Sequence, residues 1–322
     1  MICVLSGGTG GAKFVQGIAA AMPARELTVI VNTGDDLTWW GLHVSPDLDS
    51  ITYALAGMLS RGRGWGVEGD TFHCLEAMRR IGSPAWFQVG DRDLATHVWR
   101  TELLSQGKTL SEVTSEIAQR LGIEAQILPM TNQRVETRVS VLACGGGKCE
   151  NTWLSFQEYF VREHYRLPVR EVRFAGAEWA DPAPGVLEAI AQAEAVVIAP
   201  SNPVTSIGPI LAVPGIRKEL KRTKAPVAAI SPIIAGAAVS GPAGELLKTK
   251  GLPVSIAGVA RCYRDFLDLL IAEQCDWAFG AQVEGVATRY TRTLMESDAD
   301  KTALARAVLG FVRERPDVAA AS

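Results

Sequence analysis

The 322-residue chain has no run of about 18 consecutive apolar residues, the length a membrane-crossing helix needs. Its apolar start, Ile2–Leu5, is too short for the core of a secretion signal and no basic residue precedes it. Cysteine is scarce and irregular: six residues (3, 74, 144, 149, 262 and 275) form no C-x-x-C pair and no regular framework. Cys144 and Cys149 flank Gly145-Gly146-Gly147-Lys148, half of a metal site for which no second half exists. Isolated thiols buried as small hydrophobes, in a reducing and cytoplasmic compartment, are the expectation. The histidines at 43, 73 and 164 share no ligand spacing, which argues against zinc. Charge of one sign is not in excess either. Lys plus Arg is 32 and Asp plus Glu is 35, a net charge of −3, so a broad basic face for nucleic acid is excluded. With 48% hydrophobic and 21% charged residues the chain is neither disordered nor unusual, and it is long enough to bury a large core.

What is present is alternation. Ile2–Leu5 and Leu27–Val31 read as buried parallel strands with a crossover helix at Ala12–Met22 between them, a βαβ unit. Val196–Ala199 and Val227–Ile230 repeat the pattern, each followed by a loop rich in Pro, Ser, Asn or Gly. Between these halves, Asp70–Arg80, Asp91–Leu104 and Thr109–Leu121 read as helices, the last opened by a capping box of Thr109 with Glu112. Val135–Val141 alternates like a half-exposed strand, and the Ala-rich end after Arg315 reads as a frayed tail. The expected architecture is α/β: a Rossmann-like, doubly wound, mostly parallel sheet from residues 1–60 and 166–322, with a mainly helical insertion at 61–165.

Five segments carry chemistry. Ser6-Gly7-Gly8-Thr9-Gly10-Gly11-Ala12-Lys13 joins a strand to a helix, where glycines let amides approach an anion and the helix end favours negative charge. It is not a Walker loop, because Phe14 follows Lys13, and Lys13 stands where the dinucleotide fingerprint has its third glycine. Asn32-Thr33-Gly34-Asp35-Asp36 ends the second strand, the sheet edge where ligands bind; its acids either hold ribose hydroxyls or cap a solvated loop. Ser45-Pro46-Asp47-Leu48-Asp49-Ser50 sets two carboxylates two residues apart, which suits Mg²⁺, although Asp49 or Ser50 would also serve simply as a helix N-cap. Gly90-Asp91-Arg92-Asp93-Leu94-Ala95-Thr96-His97 opens a helix that Asp91 would cap. Arg92 there faces a phosphate or pairs with Asp93, and His97 reads as a satisfied helix histidine before it reads as a general base. Pro200-Ser201-Asn202-Pro203-Val204-Thr205-Ser206-Ile207-Gly208 and Ser231–Gly244 follow adjacent strands like the walls of a nucleotide crevice. Trp39, Trp40, Trp65, Trp86 and Trp99 gather in the first hundred residues, as core or as a wall that stacks on a planar ligand.

In this order, and with Trp65-Gly66, Gly69-Asp70-Thr71-Phe72, Leu128-Pro129-Met130 and Phe156-Gln157, these segments resemble the 2-phospho-L-lactate transferase family of deazaflavin coenzyme factor 420 biosynthesis, from Ser6 to about residue 270. The resemblance implies a Mg²⁺-dependent transfer from a guanosine diphosphate ester of a three-carbon acid (2-phospholactate, phosphoenolpyruvate or phosphoglycerate). The acceptor it implies is the terminal hydroxyl of 7,8-didemethyl-8-hydroxy-5-deazariboflavin, with GMP released, and the enzyme a homodimer. It implies that the insertion helps form the deazaflavin site. Asp49 matches the acid at the deazaflavin's reactive end, and Gln88 stands where the family often has a basic contact; Trp65 and Arg92 are assigned to the same side. Gly7, Gly8, Thr9, Gly10, Lys13, Ser201, Asn202 and Ser206 fall on the nucleotide side. Asp49, assisted by Asp47 or Asp36, is the expected metal set, and an Asn at 49 is expected to spare folding while lowering turnover. An NAD(P)-dependent oxidoreductase and a non-catalytic guanine-nucleotide-binding module are the competing classes.

Overall fold

The computed structural model describes residues 1–145, 148–278, 283 and 285–314. The glycines at 146 and 147 and the tail from Arg315 lie outside the described residues. Seven strands form the main sheet: β1 (Ile2–Ser6), β2 (Leu27–Val31), β3 (Gln126–Pro129), β4 (Ala195–Ile198), β5 (Val227–Ile230), β6 (Leu269–Glu273) and β7 (Ala287–Thr291). Their order is β7-β6-β5-β4-β1-β2-β3 and every pairing is parallel. Strands covered on both faces read as unbroken apolar runs, and β1 and β2 are buried at every position.

Alternate side chains of each strand go to opposite faces. Cys3, Leu5, Ile30, Val196, Ile198 and Leu270 join one core, whereas Ile2, Val4, Val29, Val31, Val197 and Ile271 join the other. The helices that shape the site are α1 (Gly8–Ala21), α2 (Pro46–Leu55), α3 (Asp91–Ser105), α4 (Leu110–Arg120) and α5 (Asp298–Arg313). Phe14 and Ile18 of α1, Ile51 of α2 and Leu304 and Val308 of α5 fill the second core. The capping box of Thr109 with Glu112 opens α4 as read from the sequence. From β1 the chain runs outward to β2 and β3, then returns to β4 on the other flank of β1. The C-terminal ends of β1 and β4 thus form a topological switch point, where open α/β sheets make their ligand crevice.

The stretch 61–165 holds strands as well as helices. It contributes β3, the edge strand of the main sheet, paired from Thr28↔Gln126 to Val31↔Pro129. It also contributes Glu136–Gly145 and Lys148–Ser155, which with Val169–Ala175 make a three-stranded antiparallel sheet. The four residues of β3 carry too short an apolar run to stand out from a loop, and their partners lie about a hundred positions away. The cysteines also differ from expectation. Cys3 is a buried free thiol, Cys74 and Cys262 are half-buried, Cys275 is exposed, and Cys149, exposed on its hairpin and away from either core, is disulfide-bonded. Among the described residues, no helix is long and apolar enough to cross a membrane.

Candidate active site

A cleft of about 940 Å³ runs along the C-terminal edge of the main sheet. The loops after β1, β2, β4, β5 and β7 line one bank with Gly7–Gly10, Lys13, Asp35, Pro200–Asn202, Thr205, Ser206, Ser231 and residues 293–296. Asp49, Ser50 and Tyr53 of α2, and Asp93 and His97 of α3, form the other, while Asp47 at the start of α2 reaches across to the first. A second hollow of about 820 Å³ lies over α4, lined by its capping box of Thr109 with Glu112 and by Ser111, Glu116 and Arg120, and the segments singled out for chemistry do not reach it.

On the first bank the amide end of α1 already holds an anion of the protein's own. Asp47 Oδ1 accepts the Gly8 N–H at 2.7 Å and Oδ2 accepts from Asn32 Nδ2 at 2.9 Å. Asn32 is fully buried and takes the Gly34 N–H on its Oδ1 at 2.8 Å, so one side chain ties β2, the following turn and α2 together. A helix N-terminus stabilises such a carboxylate as it would a phosphate. Two of the loop's glycines serve packing: a Cβ on Gly10 would lie 2.4 Å from the Pro200 carbonyl oxygen, and one on Gly11 2.2 Å from Ser6 Oγ. Ser201 locks the contact, its hydroxyl donating to the Gly7 carbonyl at 2.7 Å.

Asp35 lies beside Asp47. It is 5% exposed, and its Oδ1 has no hydrogen-bond partner. Burial, then the Asp47 charge, holds its carboxyl well above the ordinary range. Burial also pushes Asp47 up to about 6, against the hydrogen bonds from Asn32 and Gly8 that lower it. The donors that reach Asp47 (the Asn32 side chain and the Gly8 amide) are neutral.

The second bank is charge-balanced. Arg100 grips both oxygens of Asp49, one nitrogen at 3.2 Å from Oδ2 and the other on Oδ1, and neither residue is more than 5% exposed. Burial works against the guanidinium, but the Asp49 charge and hydrogen bond outweigh it and raise the Arg100 pKa. Tyr53 donates to Asp93 Oδ1 at 2.7 Å. Burial pushes Asp93 up, yet His97 and Tyr53 together bring it below the ordinary value. Asp49, Asp93 and His97 offer ligand atoms within 4.8 Å of one another, but Arg100 already supplies the positive charge at this spot. Asp93, His97 and Arg100 recur at i, i+4 and i+7 on α3. That one-face polar stripe was the signal for a buried network, and the sequence reading passed over Arg100.

The profile of the family described as 2-phospho-L-lactate transferase CofD matches residues 2–302. The chain belongs to this family. A phosphoenolpyruvate transferase of Streptomyces griseus subsp. griseus is 43% identical over 317 residues, 97% of this chain and 98% of the relative. A 2-phospho-L-lactate transferase of Methanosarcina acetivorans is 42% identical over 310 residues, 96% and 98% of the two chains. A crystal structure of a UPF0052-family protein from Bacillus halodurans covers 96% of this chain and 98% of its own with a TM-score of 0.62; at 17% identity it shares the fold.

In this CofD-family transferase the residues singled out from the sequence separate into three groups. Gly7, Gly8, Thr9, Gly10, Lys13, Ser201, Asn202 and Ser206 line one bank, and Asp47, Asp49, Trp65 and Gln88 also face the cleft. Asp36 does not line it: Oδ2 meets His43 Nε2 at 3.0 Å and Oδ1 accepts the Ser45 hydroxyl at 2.6 Å. Arg92 is exposed outside the lining and donates to the Glu68 carbonyl at 3.3 Å. Asp91 does not cap its own helix. It accepts the His73 and Cys74 amides at 3.0 and 2.9 Å, while Asp70 accepts those of Arg92 and Asp93 at 2.8 and 3.1 Å, an exchange of caps between neighbouring helices. The tryptophans divide too. Trp65 lines the cleft under Arg63, whereas Trp39, Trp40 and Trp86 pack behind Phe87 and Trp99 joins Leu103 and Val113. Phe156 and Phe160, stacked at 5.5 Å, form a second aromatic wall, with Phe160 on a π-helical turn (Glu158–Arg162), a conformation frequent at functional sites.

Proposed function

We propose that this enzyme transfers a phospholactate-type group, carried on a guanosine diphosphate ester, to the terminal hydroxyl of 7,8-didemethyl-8-hydroxy-5-deazariboflavin in the biosynthesis of coenzyme factor 420. The hydroxyl oxygen attacks the phosphorus bearing the three-carbon acid, the bond to the guanylyl phosphate breaks, and GMP departs as a phosphodiester forms. Such transfers depend on positioning and charge neutralisation, and the nucleophile needs no strong base. The departing GMP phosphate can take up the hydroxyl proton.

The observation that carries this reading is the uncompensated acidic pair at the switch point, Asp35 with its unpartnered buried oxygen beside Asp47. Two carboxylates and the phosphates of a donor are the ligand set Mg²⁺ favours. Asp35 and Asp47 would hold the ion; Asp36 and Asp49 are committed to other partners. When bound, Mg²⁺ neutralises charge on the transferring phosphoryl group. Lys13 and the hydroxyl and amide groups of Ser201, Asn202 and Ser206 would bind the nucleotide, and Trp65, Phe87 and Gln88 the deazaflavin. The dehydrogenase alternative loses its main support, because Gly10 and Gly11 are explained by contact with the loop after β4 and β1. The reading includes a cytoplasmic dimer.

The test offers the purified protein the deazaflavin alcohol with each guanylylated acid, with Mg²⁺ or with EDTA, and identifies products by mass. A phosphodiester product and GMP that appear only with Mg²⁺ are expected. No product from any donor ends the assignment.

A further inference from the structure

His97 lines the cleft from α3 at 1% exposure, and its Nε2 has no hydrogen-bond partner, although Asp93 Oδ1 comes to 3.4 Å. On the other side of the ring, Nδ1 faces an Arg100 nitrogen at 3.4 Å. A guanidinium has only protons to offer. A neutral His97 therefore turns the Nδ1 lone pair to Arg100 and carries its proton on Nε2, since the partner of one ring nitrogen decides the state of the other. A doubly protonated ring, held by Asp49 Oδ2 at 3.6 Å from Nδ1, also carries a proton on Nε2. In both charge states the ring atom left for a ligand is a donor.

We propose that His97 Nε2–H is a substrate-orienting hydrogen-bond donor to an uncharged oxygen of the acceptor alcohol, and that Arg100 is the positioning residue that fixes it so. The flanking Asp49 and Asp93 charges oppose a phosphate at this spot, while Val44 and Phe87 present apolar surface for a planar ring. His97 then acts neither as a base nor as a metal ligand through Nε2. The assignment of the oxygen rests on the transfer reaction proposed above; the protonation of Nε2 does not.

Two variants separate the ring nitrogens, because a glutamine amide reaches the place of Nε2 and an asparagine amide only that of Nδ1. His97→Gln is expected to hold the KM for the deazaflavin alcohol within about threefold, and His97→Asn to raise it about tenfold, the worth of one buried hydrogen bond. The KM for the guanylylated donor should move less than twofold in either. Equal loss in both variants, or a shift confined to the donor KM, overturns the role. Independently, ¹⁵N-histidine spectra of the whole protein, with His97 assigned as the signal that remains when the other three histidines (43, 73 and 164) are replaced, should show Nε2 protonated; an unprotonated Nε2 overturns the proposal even if neither His97 variant folds. If wild-type protein consumes no acceptor at all, the transfer reading falls, and the spectrum still decides the state of Nε2.

Discussion

Along the α3 side of the cleft each buried acid has a partner: Asp49 has Arg100, and Asp93 accepts from the Tyr53 hydroxyl. Across the cleft, beneath the loop after β1, Asp35 and Asp47 meet neutral donors and further carboxylate charge, Asp47 and Asp36 acting on Asp35, and Asp36 and Asp49 on Asp47. The residue types are the same, and the difference lies in what the neighbouring helix supplies. α3 brings a cation into the core of the molecule, so its acids are scaffold. The amide end of α1 offers partial charges alone, so its acids have no full counter-charge of the protein's own, which is why the proposed reading gives them the cation. Carboxylates two residues apart in sequence, Asp47 and Asp49, thus fall into opposite classes.

The largest effect should come from breaking the balanced side. Arg100→Met leaves Asp49 buried without its counter-charge, and removal of one partner of such a pair costs about 3–5 kcal/mol. Arg100→Lys keeps the charge but cannot grip both oxygens, so about 1–3 kcal/mol is expected. Urea unfolding followed by circular dichroism measures both. A loss below about 1 kcal/mol for Arg100→Met would mean that the pair is not structural. By the same reasoning Asp49→Asn strands a buried guanidinium, so it should destabilise the fold, contrary to the expectation drawn from sequence.

The uncompensated side should respond with the reverse pattern. Asp47→Asn is expected to lower turnover on the order of 100-fold at saturating Mg²⁺, as for loss of one charge-stabilising group at a phosphoryl-transfer site. The amide keeps only one of the two acceptors that the Gly8 amide and Asn32 use, so a stability loss of about 1–2 kcal/mol, well below that of Arg100→Met, should accompany it. Unfolding and product assays on the same preparation check the two halves; a large loss of stability with intact turnover would erase the distinction between the banks.

The frame of this comparison was legible in the sequence, and its charge pairing was not. Unbroken apolar runs at Ile2 and Leu27, with a helix between them, dictate a βαβ unit, and the loops at Ser6 and Pro200 fall at the switch point by topology alone. Asp47 and Asp49 stood out because two acids exceed what capping needs. Which of them is neutralised depends on Arg100, fifty-one positions from Asp49, and local spacing holds no record of that contact. β3 escaped notice for the same reason: its strand character comes from β2, not from its own Gln-Ile-Leu-Pro.

A smaller change probes how closely the two loops at the switch point must meet. Gly10→Ala places a methyl 2.4 Å from the Pro200 carbonyl oxygen, a backbone atom with no rotamer to yield. Displacement of the loop should cost about 1–3 kcal/mol and raise the KM for the guanylylated donor more than that for the alcohol. If the glycine served only phosphate contact, stability would be untouched, and thermal unfolding decides between the two.

The last and smallest effect is the pH signature of Asp47. Its carboxyl titrates at about 6 in the folded protein against about 3.9 in an unfolded chain. Between these values the native state binds more protons than the unfolded one, so this group stabilises the metal-free fold at low pH, and the contribution is lost as pH rises through about 4 to 6. With EDTA present, wild-type protein should therefore lose stability over that window relative to Asp47→Asn. Mg²⁺ competes with the proton for the same oxygens, so adding it near pH 7 should raise the melting temperature of the wild type and leave Asp47→Asn little changed. Parallel pH profiles for the two proteins, or an equal Mg²⁺ response, would place the cation elsewhere and leave the pair under the α1 loop as strained scaffold.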